Sequence, residues 1–377
     1  MTLVIPLLAI YAESFGASAL QATLLVSVFA ACQLVSGPII GHASDRIGRK
    51  PMLLYSQIGT CIGLIVLARA TSLWMVYLSR VIDGVTAGNL ALAQAYISDN
   101  TPPERRAQSF GLIGIAFGLG FFVGPGITGF LSAGYGLNAP IYLAAAMSAT
   151  SVIATATLLK DHARTVRDED ACAVRRRLEA LNWRTYAQYF ARPELRGLLM
   201  QFLFFILSFS SFISGFALFA ERRFTWDGRP FGPREIGYLF AFVGLLGIIL
   251  QAGLIGWMVR RFGEARLVVA GFAALAVGYT MLGVVYTVAA LLLTSVIAGF
   301  GNGVLRPAVT SLITQKAGRH EQGVVLGLTQ ALTSIASIVA PFAAGVLIQY
   351  RLLTQWAWLA GGMAAVGLVL SRRRGRA

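Results

Sequence analysis

Arg80 and Asp83 stand out first, because they are ionisable residues inside a long apolar stretch, residues 74–98. They are three positions apart, so in a helix they lie on one face and within reach of each other. Gln94 falls within about 60° of Arg80 on the same helix at 100° per residue. The spacing predicts a face with a cation, an acid and an amide, and we expect this face to line a cavity. A plain structural ion pair between Arg80 and Asp83 is the alternative.

A second concentration of charge lies in Gly41–Pro51, Gly-His-Ala-Ser-Asp-Arg-Ile-Gly-Arg-Lys-Pro, which is flanked on both sides by apolar runs without acids or bases. The flanks can lie in lipid, whereas the charged stretch must turn in water. Gly41 is expected to let its helix approach a neighbour closely, and Asp45 to face the positive end of a helix dipole. Alternatively, the bases only set the orientation of the chain, which explains neither the acid nor the glycine spacing; these bases are Arg46, Arg49 and Lys50.

A third feature is a run of small residues around Pro125, with glycines at Gly120, Gly124 and Gly129. Proline frees a backbone carbonyl and bends a helix, and closely spaced glycines let helices approach each other. The run predicts a kinked helix in tight contact with another part of the bundle. Ordinary close packing produces the same pattern, so the pattern alone does not separate a mechanistic role from a structural one.

Polar residues within other apolar stretches are candidates for lining a cavity. The amides are equally suited to hydrogen bonds between helices. The arginine before Pro307 is placed to face an anionic group, or to serve carbonyls freed at a kink. The candidates are Gln33, Asn89, Gln94, Gln201, Gln251, Asn302 and Arg306.

The composition shows which class of protein carries these residues. The 377 residues are 56% hydrophobic and 12% charged, and the mean hydropathy is +0.70. Such a chain is a polytopic membrane protein, which excludes a soluble enzyme, and its net charge of +15 does not indicate nucleic-acid binding. The cysteines and histidines have no metal-ligand spacing, and no nucleophile, base and orienting group form a cluster. We therefore expect neither a metal site nor an enzyme.

Apolar stretches of about 20 residues predict an all-α membrane protein with twelve transmembrane helices. The first stretch is too short, because Glu13 follows after about 18 Å of helix where about 30 Å is needed. We therefore expect either a start upstream of Met1 or a first helix truncated at its N-terminus. The stretches are residues 1–12, 19–41, 52–68, 74–98, 108–131, 138–159, 197–220, 235–257, 267–287, 290–315, 323–348 and 354–370.

The lysines and arginines are distributed unevenly over the loops between these stretches. Of the 31, 23 fall on the side of Gly41–Pro51, six on the other side and two, Arg80 and Arg306, within the stretches. Basic residues are enriched in cytoplasmic loops of membrane proteins. The distribution predicts a multi-pass protein of the cell inner membrane or plasma membrane, with a cytoplasmic C-terminus.

The chain also repeats itself, since Gly256–Gly263 in the second half resembles Gly41–Gly48 in the first. The repeat predicts two pseudo-symmetric six-helix halves of the same orientation, residues 1–159 and 197–377, joined by a cytoplasmic linker, residues 160–196. Two such halves are the architecture of a transporter that rocks around a central site.

Together these motifs resemble the major facilitator superfamily, in the branch of drug/proton exporters that includes the tetracycline/proton antiporters. Gly41–Pro51 matches the family's loop between helices 2 and 3, Gly-x-x-x-Asp-Arg-x-Gly-Arg-Arg/Lys, and Tyr77–Gly84 matches its helix 4 arginine motif. Gly120–Gly129 resembles the antiporter motif of helix 5, although Phe130 stands where a second glycine is preferred. Phe262–Glu264 is also similar to the tetracycline exporters.

The resemblance implies roles for several residues. Arg80 would take part in proton coupling, with Asp83 as the nearby acid. Tetracycline exporters carry acids in helices 1, 3 and 9, whereas this chain has Gly63 and Leu275 at the matching positions of helices 3 and 9, and Glu13 lies near the outer surface. A charge cluster would lock the two halves on the cytoplasmic side; its members are Gly41, Asp45, Arg46, Gly48, Arg49 and Asp99.

From these features we expect a secondary active transporter that exports a small amphipathic compound, multidrug or tetracycline-like, in exchange for protons. A sugar or metabolite exporter of the same superfamily is one alternative, and a non-transporting sensor or scaffold is another. No phosphate-binding Gly-x-x-x-x-Gly-Lys-Ser/Thr motif is present in the sequence, so a proton gradient and no cofactor would supply the energy. The expected partners are a small-molecule substrate, protons and the lipid bilayer, with no nucleic acid, and the expected state is a monomer.

Overall fold

The computed structural model describes residues 3–101, 116, 119–120, 123–159, 188–317 and 322–374. These residues form helices joined by short turns, together with a two-stranded antiparallel hairpin. Residues 123–135 are helical as well. The elements with complete bounds are α1 (Ile5–Glu13), α2 (Ala19–Ile47), α3 (Arg49–Ala68), α4 (Leu73–Val85), α5 (Asn89–Asn100), α6 (Ala139–Leu158), α7 (Pro193–Arg223), β1 (Thr225–Trp226), β2 (Arg229–Pro230), α8 (Pro233–Ile249), a π-helical turn (Leu250–Leu254), α9 (Ile255–Phe262), α10 (Glu264–Leu282), α11 (Val288–Lys316), α12 (Gln322–Gln349) and α13 (Leu353–Arg374).

Within the described residues, eight helices are long and apolar enough to cross a membrane, namely α2, α3, α6, α7, α10, α11, and most of α12 and α13. The remaining predicted stretches differ from these for identifiable reasons. α1 has nine residues, and residues 108–131 lie largely outside the described part of the chain. Residues 74–98 and 235–257 are helical but interrupted. Apolar length in the sequence does not reveal such backbone interruptions.

The interruption between α4 and α5 contradicts the prediction of one helix over residues 74–98. Thr86 and Gly88 leave helical geometry, with φ −97° and ψ 2° at Thr86 and φ −141° at Gly88. Ser56 of α3 compensates, because its hydroxyl donates to the Thr86 carbonyl and accepts from the Gly88 N–H at 2.9 Å. One side chain therefore satisfies two backbone groups that the break leaves without helical partners.

Two glycines make the sharp turns between consecutive helices of each repeat. Gly48 joins α2 to α3 with φ 113°, and Gly263 joins α9 to α10 with φ 78°. Both lie in the left-handed region, which glycine adopts without the steric cost that other residues meet. The two glycines occupy equivalent positions of the repeated segment, so the repeat seen in the sequence is also a repeat of backbone conformation.

The chain reverses direction at the turns between helices, except at the interruptions between α4 and α5 and between α8 and α9, so the turns lie at two ends of the bundle. We call the end with Gly48 and Gly263 the basic end, because Arg46, Arg260 and Arg261 adjoin these glycines. The distal end is the opposite one, where the hairpin Thr225–Pro230, the turns after α1, α3, α10 and α12, and the turn before α6 lie. The basic end is the one that the charge distribution predicts to be cytoplasmic.

Buried apolar side chains form clusters that differ in which parts of the chain they join. The largest cluster among the described residues lies toward the distal end and contains Leu7, Leu67, Phe219, Ile348 and Trp356. It therefore joins the chain before residue 160 to the chain after residue 187. Two other clusters stay within one part: the first uses α7 and later elements, and the second uses α2, α3 and α5.

The predicted linker, residues 160–196, lies mostly outside the described residues, but its last part is already helical. α7 begins at Pro193 and not at residue 197. Proline is tolerated in the first helical turn, where its missing N–H leaves no hydrogen bond unmade, and Glu194 in the same turn suits the positive end of the helix dipole. These start signals lie in a charged segment, which is why a criterion based on apolar length overlooks them.

Candidate functional site

Arg80 and Asp83 form a buried ion pair on α4. The Arg80 Nη1 and Asp83 Oδ2 atoms are 3.3 Å apart, and the side chains are 3% and 2% exposed. Both side chains are buried in this structure, and a cavity lined by their face of the helix stays a prediction. Gln94 lies beyond the helix break on α5 and is exposed, so it does not share a continuous helix face with them. The structural ion pair, given as the alternative, is present.

The Asp83 carboxylate is also held by groups from other helices. The Thr60 hydroxyl of α3 donates to it, and Asn89 Nδ2 of α5 donates to Thr60 Oγ1 at 3.2 Å. α3 approaches α4 closely here, because a Cβ built on Gly63 would lie 3.1 Å from the Ser79 carbonyl oxygen and 3.3 Å from the Asp83 Cβ. A chain of polar groups therefore connects α4, α3 and α5 within the bundle.

This polar chain is not fully satisfied. Arg80 Nη2 and Asn89 Oδ1 are buried and have no hydrogen-bond partner among the described residues. A buried polar atom without a partner costs about 1–3 kcal/mol, so such atoms are rare unless they serve a function or bind water. The guanidinium thus has a donor free for a further acceptor.

The predicted gate residues meet at the basic end. Arg49, the first residue of α3, places Nη2 2.6 Å from Asp45 Oδ1 and Nε 2.9 Å from Asp99 Oδ2. Its Nη1 also donates to Ser44 Oγ at 2.5 Å. One guanidinium therefore joins α2, α3 and α5. The structure brings the three charged residues together, and their action as a lock remains a prediction.

Other members of the predicted gate lie outside these contacts. Among the described residues, nothing lies within 4 Å of a Cβ built on Gly41, so none of them makes the expected close approach at this glycine. A close approach occurs at Gly84 instead, since its Cβ would lie 2.6 Å from the Cys32 Cβ and 2.8 Å from the Phe29 carbonyl oxygen. Arg46 is exposed at the end of α2. Gly48 is needed for its positive φ.

Pro125 and Gly129 lie against α8, and a mechanistic role of this contact between the halves stays a prediction. A Cβ built on Gly237 would lie 2.6 Å from the Pro125 carbonyl oxygen and 2.8 Å from the Gly129 Cα. Gly124 is buried as well, and Gly120 is partly buried. Backbone thus meets backbone where residues 123–135 cross α8, and a side chain on Gly237 would force the helices apart.

Further contacts between the two parts of the chain lie at the distal end. Arg222 Nη2 of α7 is 2.7 Å from Glu13 Oε1 of α1, and Arg222 Nη1 donates to the Ile348 carbonyl of α12 at 2.9 Å. The Ser27 hydroxyl of α2 donates to the Ile338 carbonyl of α12 at 2.8 Å. These polar contacts accompany the apolar cluster that joins the same two parts.

The paired arginines that end α7 have contacts that no local pattern in the sequence predicts. Arg223 donates to the carbonyls of Gly283, at 2.6 Å, and Val285, at 3.2 Å, and its guanidinium lies 3.9 Å from the centroid of the Tyr286 ring. Arg222 and Arg223 therefore bind carbonyls at the distal ends of α12 and α10. The sequence feature that marks them is that two adjacent arginines occur on the side of the protein that is otherwise poor in basic residues.

The cavity candidates are scattered in the structure. Asn302 Nδ2 donates to the Tyr279 hydroxyl at 2.9 Å, so this amide links α11 to α10. Gln201 is 2% exposed within α7, which places it in the core and not on an open cavity. Gln33 is partly buried, whereas Gln251 and Arg306 are exposed. Asn89 belongs to the polar chain around Asp83.

A cavity of about 840 Å³ lies elsewhere, at the distal end between the hairpin, α8 and α11. Its lining combines aromatic and apolar residues with charged ones, and none of the cavity candidates belongs to it. Trp226, Arg234, Tyr238, Phe242 and Leu292 are among the lining residues.

Comparison with known proteins gives a consistent family. The sequence model described as Major Facilitator Superfamily matches residues 1–260 and 228–376. The class E tetracycline resistance protein of Escherichia coli is 30% identical over 368 residues, which cover 96% of this chain and 85% of that protein. Multidrug resistance protein 2 of Bacillus subtilis is 27% identical, with 98% of this chain and 90% of that protein covered.

Solved structures share the fold at lower identity. The human organic anion transporter MFSD10 (TETRAN) matches with a TM-score of 0.72 and 22% identity, over 98% of this chain and 95% of that one. A peptide transporter POT in complex with alafosfalin matches with a TM-score of 0.78 and 17% identity, over 100% and 92%. At these identities the likeness concerns the arrangement of helices.

Proposed function

The chain belongs to the major facilitator superfamily, and from that premise we propose that it is a secondary active transporter that exports a small amphipathic compound in exchange for protons. The relatives compared above are named as tetracycline and multidrug resistance proteins, which supports a transporter with a substrate of this class. The proposal includes twelve transmembrane helices in two six-helix halves, with the basic end in the cytoplasm. Alternating access between the halves would move the compound across the membrane.

The observation that carries the proposal is where the two parts of the chain touch. Their shared apolar cluster, the Glu13–Arg222 ion pair and the Ser27–Ile338 hydrogen bond all lie at the distal end or in the adjoining half of the bundle. At the basic end, Arg49 binds residues of its own part. These contacts between the described residues of the two parts suit a state that is closed at the distal end.

Asp83 is the proton carrier that we propose, with Arg80 as the group that stabilises its charged form. Asp83 is a buried acid inside the bundle, paired to a guanidinium that still has a free donor. Protonation of Asp83 would weaken the ion pair and free Arg80 to bind another acceptor as the helices rearrange. Gly63, which faces this pair from α3, leaves the space in which the two side chains meet.

Transport in proteoliposomes tests the proposal directly. Purified protein would be reconstituted with a pH-sensitive dye inside, and amphipathic compounds, tetracyclines and sugars would be added in turn. We expect compound-dependent proton movement for an amphipathic compound, and its loss in Asp83→Asn. Proton movement with a sugar alone would favour a metabolite exporter. No response to any compound from folded protein would contradict the antiporter.

A further inference from the structure

The turn at Gly263 repeats the turn at Gly48 with its charges inverted. Asp45 and Arg49 flank Gly48, and at the equivalent positions of the second repeat Arg260 and Glu264 flank Gly263. The acid before the first glycine corresponds to a base before the second, and the base after the first glycine corresponds to an acid after the second. Random substitution in the second copy of the segment would have removed its charged residues, whereas the second copy has residues of opposite charge at both positions.

Glu264 makes contacts with α11 that correspond to the contact of Arg49 with Asp99 on α5. The Ser311 hydroxyl of α11 donates to Glu264 Oε1 at 2.6 Å, and Gln315 Nε2 donates to Glu264 Oε2 at 2.8 Å. Gln315 Nε2 also donates to Ser311 Oγ at 3.0 Å, so the three side chains form a closed triangle. Both carboxylate oxygens are bound, and hydrogen bonds to a charged acceptor are the stronger kind.

The helices contacted by Arg49 and Glu264, α5 and α11, also correspond to each other in the repeat. Asp99, the partner of Arg49 on α5, has Gln315 on α11 as its counterpart, to within one position of the repeat. In the first repeat a cation on the turn is held by an acid, and in the second an anion on the turn is held by an amide and a hydroxyl. The same link between two helix ends is therefore made with opposite polarity.

α9, the segment before the turn at Gly263, depends on the hydrogen bonds of Glu264, because few other contacts among the described residues hold it in place. α9 contains no buried residue, and it lies between the π-helical turn Leu250–Leu254 and Gly263 with its positive φ. π-helical turns interrupt regular helical hydrogen bonding and are frequent at functional sites. Met258 and Val259 contribute only partly buried packing against a small apolar cluster.

We infer that Glu264 is a positioning residue for transport: with Ser311 and Gln315 it forms a second latch, which fastens the start of α10, and through the turn at Gly263 the end of α9, to the basic end of α11. The latch makes these elements move as one body, so that motion at the basic end is transmitted to the helices around the transport path. This inference rests on the proposed function for its effect on transport, but the latch itself is a property of the fold.

Exchange of the charges tests the latch with matched controls. Glu264→Gln keeps the shape but removes the charge, and we expect turnover to fall about tenfold while the apparent KM for the compound changes by less than about twofold. Glu264→Arg alone should be worse, because it adds a cation beside Arg260 and Arg261. Glu264→Arg combined with Gln315→Asp rebuilds the Arg49–Asp99 pattern, and it should recover most of the turnover.

A structural readout separates failure of the latch from failure of the proposed function. Spin labels at Arg261→Cys on α9 and Lys316→Cys on α11, with the native cysteines replaced by serine, report the distance between these elements without any substrate. We expect a narrow distance distribution in the wild type, a broad one in Glu264→Gln, and a narrow one again in the charge-exchanged variant.

The outcomes are distinct. Identical distributions in the wild type and Glu264→Gln would overturn the inference, as would a charge-exchanged variant that is no better than Glu264→Arg alone. Distributions that change as expected in a protein that transports nothing would support the latch and refute the proposed function. Equal thermal unfolding temperatures of the variants in detergent would show that the comparison is between folded proteins.

Discussion

Replacement of the Arg80–Asp83 pair by apolar residues separates a structural role from a role in proton coupling. Each side chain is at most 3% exposed, so removal of one leaves a buried charge without its partner. Such single removals cost about 3–5 kcal/mol in unfolding free energy. Replacement of a whole buried pair by well-packed apolar residues is often neutral, or stabilising by about 1–4 kcal/mol. The double variant Arg80→Met, Asp83→Leu should therefore be more stable than either single variant.

Two further contacts of the ion pair change the stability expected for the double variant. The Thr60 hydroxyl loses the carboxylate that it binds, which costs about 1 kcal/mol in the double variant. In return, the buried Arg80 Nη2 without a partner disappears, and with it a cost of about 1–3 kcal/mol. The two terms are of similar size and opposite sign. We therefore expect the double variant to unfold within about 2 kcal/mol of the wild type, and Asp83→Leu alone about 3–5 kcal/mol below it.

Two assays on the same preparations complete the test. Thermal or denaturant unfolding in detergent gives the stability, and dye-loaded proteoliposomes give compound-driven proton movement. If Asp83 carries the proton, the stable double variant moves the compound only down its own gradient, and the transport rate no longer depends on pH. A double variant with the proton flux and pH profile of the wild type would refute the coupling role. Single variants as stable as the wild type would refute the argument from burial.

Three further predictions concern contacts that the structure reveals. Gly237→Ala places a Cβ 2.6 Å from the Pro125 carbonyl oxygen, so we expect it to weaken closure of the distal end by about 1–3 kcal/mol, measured as faster labelling of distal-end cysteines from the outside. Glu13→Gln removes an ion pair of 2.7 Å with Arg222, and we expect labelling to rise modestly, by no more than about fivefold, because partly exposed pairs contribute about 0–1 kcal/mol. Ser56→Ala leaves two backbone groups at the α4–α5 break unsatisfied, and we expect a loss of about 1–3 kcal/mol in unfolding free energy.

Each of these predictions has a matched control. Gly247→Ala lies further along α8, where no described residue lies within 4 Å of its Cβ, so equal effects of the alanines at Gly237 and Gly247 would contradict the packing argument. High salt should reduce the effect of Glu13→Gln, and an unchanged effect would exclude an electrostatic cause. Ser56→Thr keeps the hydroxyl, and a loss of stability as large as that of Ser56→Ala would point to packing and not to the hydrogen bonds.

The sequence predicted the residues that carry charge pairs better than it predicted the backbone around them. Asp45, Arg49 and Asp99 meet as expected, because a membrane protein confines such charges to the ends of its helices and leaves them few possible partners. Arg80 and Asp83 pair because they are one helical turn apart. Local spacing and the exclusion of charge from lipid were sufficient for these predictions.

The failures concern features that depend on neighbouring helices. The break after α4 exists because Ser56, on another helix, satisfies the freed backbone groups. Gly41 was expected to make the close approach that Gly84 makes, since the sequence gives a glycine but not the direction that it faces. The helix-capping contacts of Arg222 and Arg223 join residues that are far apart in the chain, which no local pattern contains.

The Arg80–Asp83 ion pair within the first part of the chain is more deeply buried than the Glu13–Arg222 ion pair between the parts. Within the first part, Arg80 and Asp83 are buried, and separating them costs about 3–5 kcal/mol. Between the parts, Glu13 and Arg222 are 22% and 30% exposed, so water can solvate both when they separate, and Gly237 meets residues 123–135 through backbone with little side-chain interdigitation. Alternating access requires contacts between halves that break readily and contacts within halves that do not. Two charge pairs among the described residues fit that requirement, since the fully buried Arg80–Asp83 pair lies within one part and the partly exposed Glu13–Arg222 pair lies between the two.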